Sequence, residues 1–285
     1  MLKFGFIGAG VVGTALARLL SSKGYSIIAV SSQNKLSAEN LSRGIKGCCV
    51  FDTSQEVADA AEIVFITIPD DAIAPVASQI KWRHGQSVVH CSGAESTEAF
   101  KSAEKQGVKV GVAHPLQTFA GIRQAMKNIP GSTFSLEARE PLLSTLKELV
   151  TAIGCDWIEL KAEDKSAYHA AAVIVGNYTV TLMKLATDLW QTFSIPPQQT
   201  IKAMLPLVRG NLDSIESVGI PHCLTGPIAR GDTGTVKKHL DTLQKVAPTI
   251  LSTYKELGLQ TIPIALAKGR INEQQAQEMR ILLES

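Results

Sequence analysis

The chain opens as a series of short apolar runs separated by stretches of helical period. Runs at 3–7, 26–30, 62–68, 87–91 and 109–113 are rich in Val, Ile and Phe and lack polar alternation. Strands buried on both faces of a parallel sheet have this character. With helix-length segments between them they predict right-handed βαβ crossovers and an α/β fold, a doubly wound Rossmann sheet. Runs at 132–136 and 155–160 add two strands around a helical stretch at about 140–153. After residue 160 the period changes. Positions 163–191 read as one long helix, rich in Ala and free of Pro, before Pro196 and Pro197 break the chain. The remainder alternates helical pattern with Gly/Pro loops. The expected organisation is therefore an NAD(P)-binding domain over 1–160 and an all-helical substrate and dimerisation domain over 161–285.

Composition narrows the function classes. The 285 residues are 45% hydrophobic and carry a net charge of only +2, with no block of like charges. A nucleic-acid partner or a membrane surface would call for concentrated basic residues. No run approaches the ~18 uninterrupted apolar residues of a membrane span. The apolar first twenty residues are interrupted by Arg18 and three glycines, unlike a signal peptide. Five scattered cysteines form no Cys-x-x-Cys pair, and no His/Asp/Glu cluster has ligand spacing, so neither a disulfide framework nor a metal is expected. The expected location is the cytoplasm.

The strongest motif is Gly8-Ala9-Gly10-Val11-Val12-Gly13, a G-x-G-x-x-G element directly after a strand and opening a helix. Gly8 permits the tight turn, Gly10 lets the backbone approach a pyrophosphate, and Gly13 allows close helix–strand packing. The helix N-terminus offers unpaired N–H groups to the phosphates. An NAD site usually places Asp or Glu at the end of the second strand. Here Ser31, Ser32 and Lys35 stand in that region, with Arg43 further on, a set suited to a 2′-phosphate. NADP is the expected cofactor, with NADPH preferred over NADH. Ile68, Pro69 and Asp70 close the run at 62–68 and are expected along the cofactor's riboses; Asp70 and Asp71 also suit a helix cap.

Candidate chemistry collects beyond the next two runs and on the long helix. Ser92 and Gly93 are placed to hold a substrate carbonyl or carboxylate, and His114 begins a His-Pro-Leu-Gln-Thr-Phe run. Lys165 and His169 are i, i+4 neighbours on one helical face. Asn177 lies about 12 Å further along the axis, past the small side chains of Ala170, Ala171 and Ala172. Carbonyl reduction needs a proton donor, which His169 or Lys165 can supply, with Asn177 orienting the substrate. Arg230, in the Gly/Pro loop 224–232, is a candidate for a substrate carboxylate.

Together the glycine fingerprint, Pro69-Asp70-Asp71, Ser92-Gly93-Ala94, the run from His114 to Phe119, Tyr168-His169 and the loop 224–232 resemble the Rossmann-like and DUF2520 domain-containing family. That family stands near ketopantoate reductase, pyrroline-5-carboxylate reductase and the β-hydroxyacid dehydrogenases. The resemblance implies an NADP-dependent oxidoreductase with a helical second domain like that of 6-phosphogluconate dehydrogenase, and homodimers. Ketopantoate reductases carry a catalytic lysine eight residues before an asparagine; alignment on Asn177 puts His169 at the lysine position, and Val173 where the family has an intermediate asparagine. The expected activity is NADPH-dependent reduction of a small carboxylated carbonyl, a 2-oxo acid. Alternatives are an imine reductase of the pyrroline-5-carboxylate type and a non-catalytic NADP-binding regulatory protein.

Overall fold

The computed structural model describes residues 2–285. The chain divides into two compact units, Met1–Asn177 and Tyr178–Ser285.

The first unit is built on eight strands: β1 (Lys3–Ile7), β2 (Ser26–Ser31), β3 (Cys49–Val50), β4 (Ile63–Ile66), β5 (Ser87–His90), β6 (Lys109–Pro115), β7 (Thr133–Ala138) and β8 (Asp156–Glu159). Their order across the sheet is β3-β2-β1-β4-β5-β6-β7-β8. All neighbours are parallel except β6 and β7, whose antiparallel register sets His114 opposite Ser135. The helices of this unit are α1 (Val11–Ser22), α2 (Lys35–Arg43), α3 (Ser54–Ala60), α4 (Asp70–Gln79), α5 (Lys101–Glu104), α6 (Ile122–Asn128) and α7 (Leu142–Ala152). To these is added the N-terminal half of α8 (Lys165–Gln191).

The sheet is covered on both faces, which accounts for the continuous apolar runs. One core joins Phe4, Phe6 and Phe65 to α1, α6 and α7; the other joins Ile7, Val64 and Ile66 to α3 and α4. Alternate strand residues enter opposite cores, as the pleat requires. Each fully buried Phe or Ile side chain is worth roughly 1.5–3 kcal/mol against exposure.

The structure corrects the expected elements in four places. β4 ends at Ile66, because Thr67 turns its hydroxyl back to donate to the Gly8 carbonyl at 2.8 Å. β3 is an additional two-residue strand, too short to leave a pattern. β6 runs on to Pro115, so His114 stands within the strand end. Finally, α8 begins at Lys165 after a 3-10 turn over Ala162–Asp164.

The second unit holds α9 (Pro197–Val218), α10 (Thr233–Val246), α11 (Pro248–Ala267) and α12 (Glu273–Glu284), together with the C-terminal half of α8. Its core gathers Val236, Ile262, Ala265, Ala276, Met279 and Leu283 from the last three helices. An Asn272/Gln275 capping box starts α12. In α9 only Thr200 is buried. The segment Ala162–Gln191 is long and apolar enough to cross a membrane by length and composition, and little of its apolar window is buried.

Candidate active site

Five parallel strands, β1, β2, β4, β5 and β6, deliver their carboxyl ends to one edge of the sheet. The order reverses between β1 and β4, the switch point where open α/β sheets bind ligands. Gly8 follows β1 with φ +101°, a left-handed conformation that favours glycine. It is locked by its own N–H donating to the Ser31 carbonyl at 2.8 Å. A Cβ on Gly8 would also meet the Thr67 carbonyl at 2.6 Å, and one on Gly13 would strike the Thr67 hydroxyl. At Gly10, by contrast, nothing stands within 4 Å of that position. Gly10 caps α1 without any side-chain bond to the first-turn N–H groups. Those donors therefore face a groove of about 390 Å³ lined by Gly8, Ala9, Gly10, Ser31, Ser32, Asp52, Ile68 and Pro69, among others. The open space over Gly10, the free helix start and the partnerless buried Ser31 Oγ fit a dinucleotide. Val11 and Val12 begin α1, and Asp70 begins α4 directly after Pro69.

One groove residue is illegible from sequence. Asp52, beyond the two-residue β3, lines the groove and takes the Lys35 ammonium at 3.0 Å. The acid absent from the end of β2 is thus supplied from β3, with Lys35 already paired to it. Arg43 pairs instead with Glu39 of its own helix.

The second cluster lies past β5 and β6. His90 is fully buried: the Ser92 N–H donates to its Nδ1 at 3.2 Å, so its Nε2–H donates to the Ser96 carbonyl at 3.1 Å. A neutral ring satisfies both bonds, and burial lowers its pKa to about 4. The Ser92 hydroxyl accepts from the Ala94 and Glu95 N–H groups. These bonds fix the turn that carries Gly93. A Cβ on Gly93 would lie 2.8 Å from His114 Nε2 and 2.8 Å from His169 Cδ2, so both imidazoles close on it.

His114 and His169 cross edge-on, 6.3 Å between ring centres. Both line a cavity of about 450 Å³ with Tyr168, Gln117, Thr118 and Asn177, its remaining wall being mostly Ala and Val of α8. Burial, then the Lys165 charge, lowers the His114 pKa to about 4. Lys165 itself is absent from the cavity lining and almost wholly buried. Its ammonium lies 3.9 Å from Glu137 Oε2, and burial lowers its pKa against the opposing Glu137 charge. Glu137 is in turn held by the Thr97 N–H and hydroxyl.

The sequence-derived candidates therefore fall into three groups. Gly8, Ala9, Gly10, Ser31, Ser32, Ile68 and Pro69 line the groove, and Lys35 and Asp70 do not; His114, His169 and Asn177 line the cavity, with Gly93 against both imidazoles; Lys165 is buried and paired with Glu137. Arg230 belongs to the second unit, where it is the exposed last residue of a 3-10 turn whose Ile228 and Ala229 are buried. Glu137 and Asp52 were found only in the fold, as was the contact that Tyr168 makes. Tyr168 adjoins His169 in sequence, but its bond to His114 spans 54 residues.

Comparisons with known proteins agree with this layout. Residues 3–93 match the family described as NADP oxidoreductase, coenzyme F420-dependent, and residues 132–261 match a domain of unknown function, DUF2520. No curated protein matches the chain. A solved candidate NADP oxidoreductase from Bacteroides fragilis is 25% identical, with TM-score 0.75 over 92% of this chain and 97% of that one. A protein from Thermotoga maritima is 26% identical, with TM-score 0.73 over 99% and 100%. An imine reductase from Pseudomonas sp. has the same fold at 16% identity, TM-score 0.65, over 93% and 95%. The first of the two matched segments takes in the glycine loop and the ends of β1, β2, β4 and β5, and the second runs from β7 into α11.

Proposed function

We propose that the protein is an NADPH-dependent reductase of a small carbonyl compound, with a 2-oxo acid of the ketopantoate type as first candidate. One observation carries this: the glycine groove, past β1, β2 and β4, and the histidine-lined cavity, past β6, both lie at the carboxyl edge of one parallel sheet. NADPH, when bound, supplies a hydride. Gly8 to Gly13 hold the pyrophosphate, Ser31, Ser32 and Lys35 the 2′-phosphate, and Ile68, Pro69 and Asp70 border the riboses. His169 gives the proton at the substrate oxygen, since it lines the cavity whereas Lys165 does not. Asn177 and the Ser92–Gly93 turn orient the substrate.

A second reading keeps imine reduction of the pyrroline-5-carboxylate reductase type but with an imine that carries no carboxylate, and a specific feature favours it. Among the described residues lining the cavity there is no Lys or Arg to hold a carboxylate, and burial keeps His114 neutral. The shared fold with an imine reductase agrees with it.

Thermal-shift titration with NADPH, NADP, NADH and NAD is the first test. A ligand confined to the native state adds about 2.7 kcal/mol at a hundredfold excess over Kd. A shift with NADPH exceeding that with NADH supports the reading; no shift with any of the four overturns it. NADPH oxidation with 2-oxo acids and with 1-pyrroline then separates the two substrate classes, and binding without turnover of either would favour a regulatory role.

The protein is further proposed to work as a homodimer. A 22-residue helix with one buried residue, α9, gains little stability alone, since helices in proteins are held mainly by packing an apolar face. A second copy is the proposed cover.

A further inference from the structure

The two imidazoles at Gly93 sit in different surroundings, and the difference assigns them different work. We infer that His114 serves as a neutral Nε2–H donor that polarises the substrate C=O or C=N bond, its tautomer held by Tyr168, while His169 alone supplies the proton. This rests on the reductase reading and names a catalytic role within it.

The geometry is direct. Tyr168 Oη lies 2.9 Å from His114 Nδ1, with the rings edge-on at 5.6 Å. Ser135 faces His114 across the β6–β7 ladder, and its buried hydroxyl has no hydrogen-bond partner. It lies near enough to Tyr168 to draw the phenol pKa down against the larger rise caused by burial. A Ser135 hydroxyl that donates to the phenol oxygen leaves the Tyr168 O–H to donate to Nδ1. The proton of His114 then resides on Nε2, the nitrogen beside Gly93 at the cavity.

The charges around the ring keep it neutral. Lys165, His169 and His90 oppose a positive charge on His114, and only Asp70 favours one. Burial, acting in the same direction as those three groups, is the largest single influence. A neutral imidazole N–H is too weak an acid to surrender its proton near pH 7, but it is a good hydrogen-bond donor to oxygen or nitrogen that gains negative charge. As hydride reaches the substrate carbon, the C=O or C=N π pair moves to the heteroatom. That atom takes a proton from His169, which regains one from solvent. His114 ends as it began.

Imidazole ¹⁵N correlation spectra of the labelled protein, assigned with a His114→Gln variant, test the tautomer without any substrate. The expected spectrum shows His114 with a bare, hydrogen-bonded Nδ1 and a protonated Nε2, unchanged from pH 8 to pH 5. Tyr168→Phe should remove the hydrogen-bond shift at Nδ1. A protonated Nδ1, or an imidazolium signal by pH 6, overturns the inference. In NADPH oxidation with 1-pyrroline or pyruvate as probe, His114→Gln keeps an uncharged N–H donor and should stay within about tenfold of wild-type kcat. His114→Ala should lose about 10²–10³-fold at unchanged NADPH affinity. Equal loss in both variants would make His114 an acid and overturn the inference. Absence of NADPH binding would instead overturn the reductase reading, and the spectra distinguish the two failures.

Discussion

Gly93 carries a tight constraint beside the cavity. Replacing it with Ala sets a methyl 2.8 Å from both imidazoles, which must move apart. Overpacking of this kind costs typically 1–3 kcal/mol, and displaced catalytic groups cost more in rate than in stability. The Gly93→Ala protein should fold, bind NADPH with unchanged affinity and lose at least about a hundredfold in kcat/KM, as stopped-flow and urea titration would measure. Lys165 and Glu137 make a complementary case. Removing the Glu137 charge leaves a buried ammonium uncompensated, for which losses of about 3–5 kcal/mol are usual. Lys165→Met instead leaves Glu137 with its two Thr97 bonds. In denaturant melts, Glu137→Gln should be the more destabilising single change, and the Lys165→Met, Glu137→Gln double variant should recover much of the loss. Of these residues, the glycines and His169 were legible in the sequence because local spacing carries their meaning. Glu137, Ser135 and Tyr168 were not: β6–β7 register and the start of α8 bring Ser135 and Tyr168 to His114 and Glu137 to Lys165, and neither leaves a mark in neighbouring residues.

The ends of β2 and β3 show how elements, rather than motifs, decide cofactor choice. Lys35 starts α2 and Asp52 follows β3, so their 3.0 Å pair joins parts of the chain that sequence reading treats separately. Asp52→Asn should release Lys35 for a 2′-phosphate and raise the NADPH-to-NADH affinity ratio, whereas Lys35→Ala should lower it, each by roughly tenfold if one charge-assisted contact is involved. Calorimetric titration with both cofactors reads the ratio. The helices offer a second test. Ile201, Leu205, Val208, Leu212 and Ile215 recur along α9 at alternating steps of four and three, a seam like that of paired helices. Leu205→Lys with Leu212→Lys should convert a dimer into a monomer in sedimentation equilibrium while the Rossmann unit retains its NADPH thermal shift. An unchanged mass would sink the proposed cover. The helical pattern itself was plain in the sequence, as were the longer strands. The two-residue β3 and the reversal at β7 were not, because one is shorter than any period and direction leaves no hydrophobic signature.

For the molecule as a whole, the buried histidines set the response to acid. His90 and His114 titrate near 4 when folded, against about 6.5 in an unfolded chain. Above pH 6.5 both states are neutral and the pair contributes nothing. Between about 6.5 and 4 the unfolded chain binds the extra protons, so stability falls as pH falls, at a rate approaching two protons near pH 5. Urea midpoints at pH 5 and 7 should show this loss, and His114→Gln should remove about half of that dependence. The sheet's margins carry a different consequence. β3 offers two residues, and β8, exposed along its length, holds Lys147 over the Trp157 ring and against Glu159. Short or charged borders discourage strand-to-strand addition. Crowded solutions of this protein should accordingly remain free of cross-β aggregates, and self-association should proceed by helix against helix.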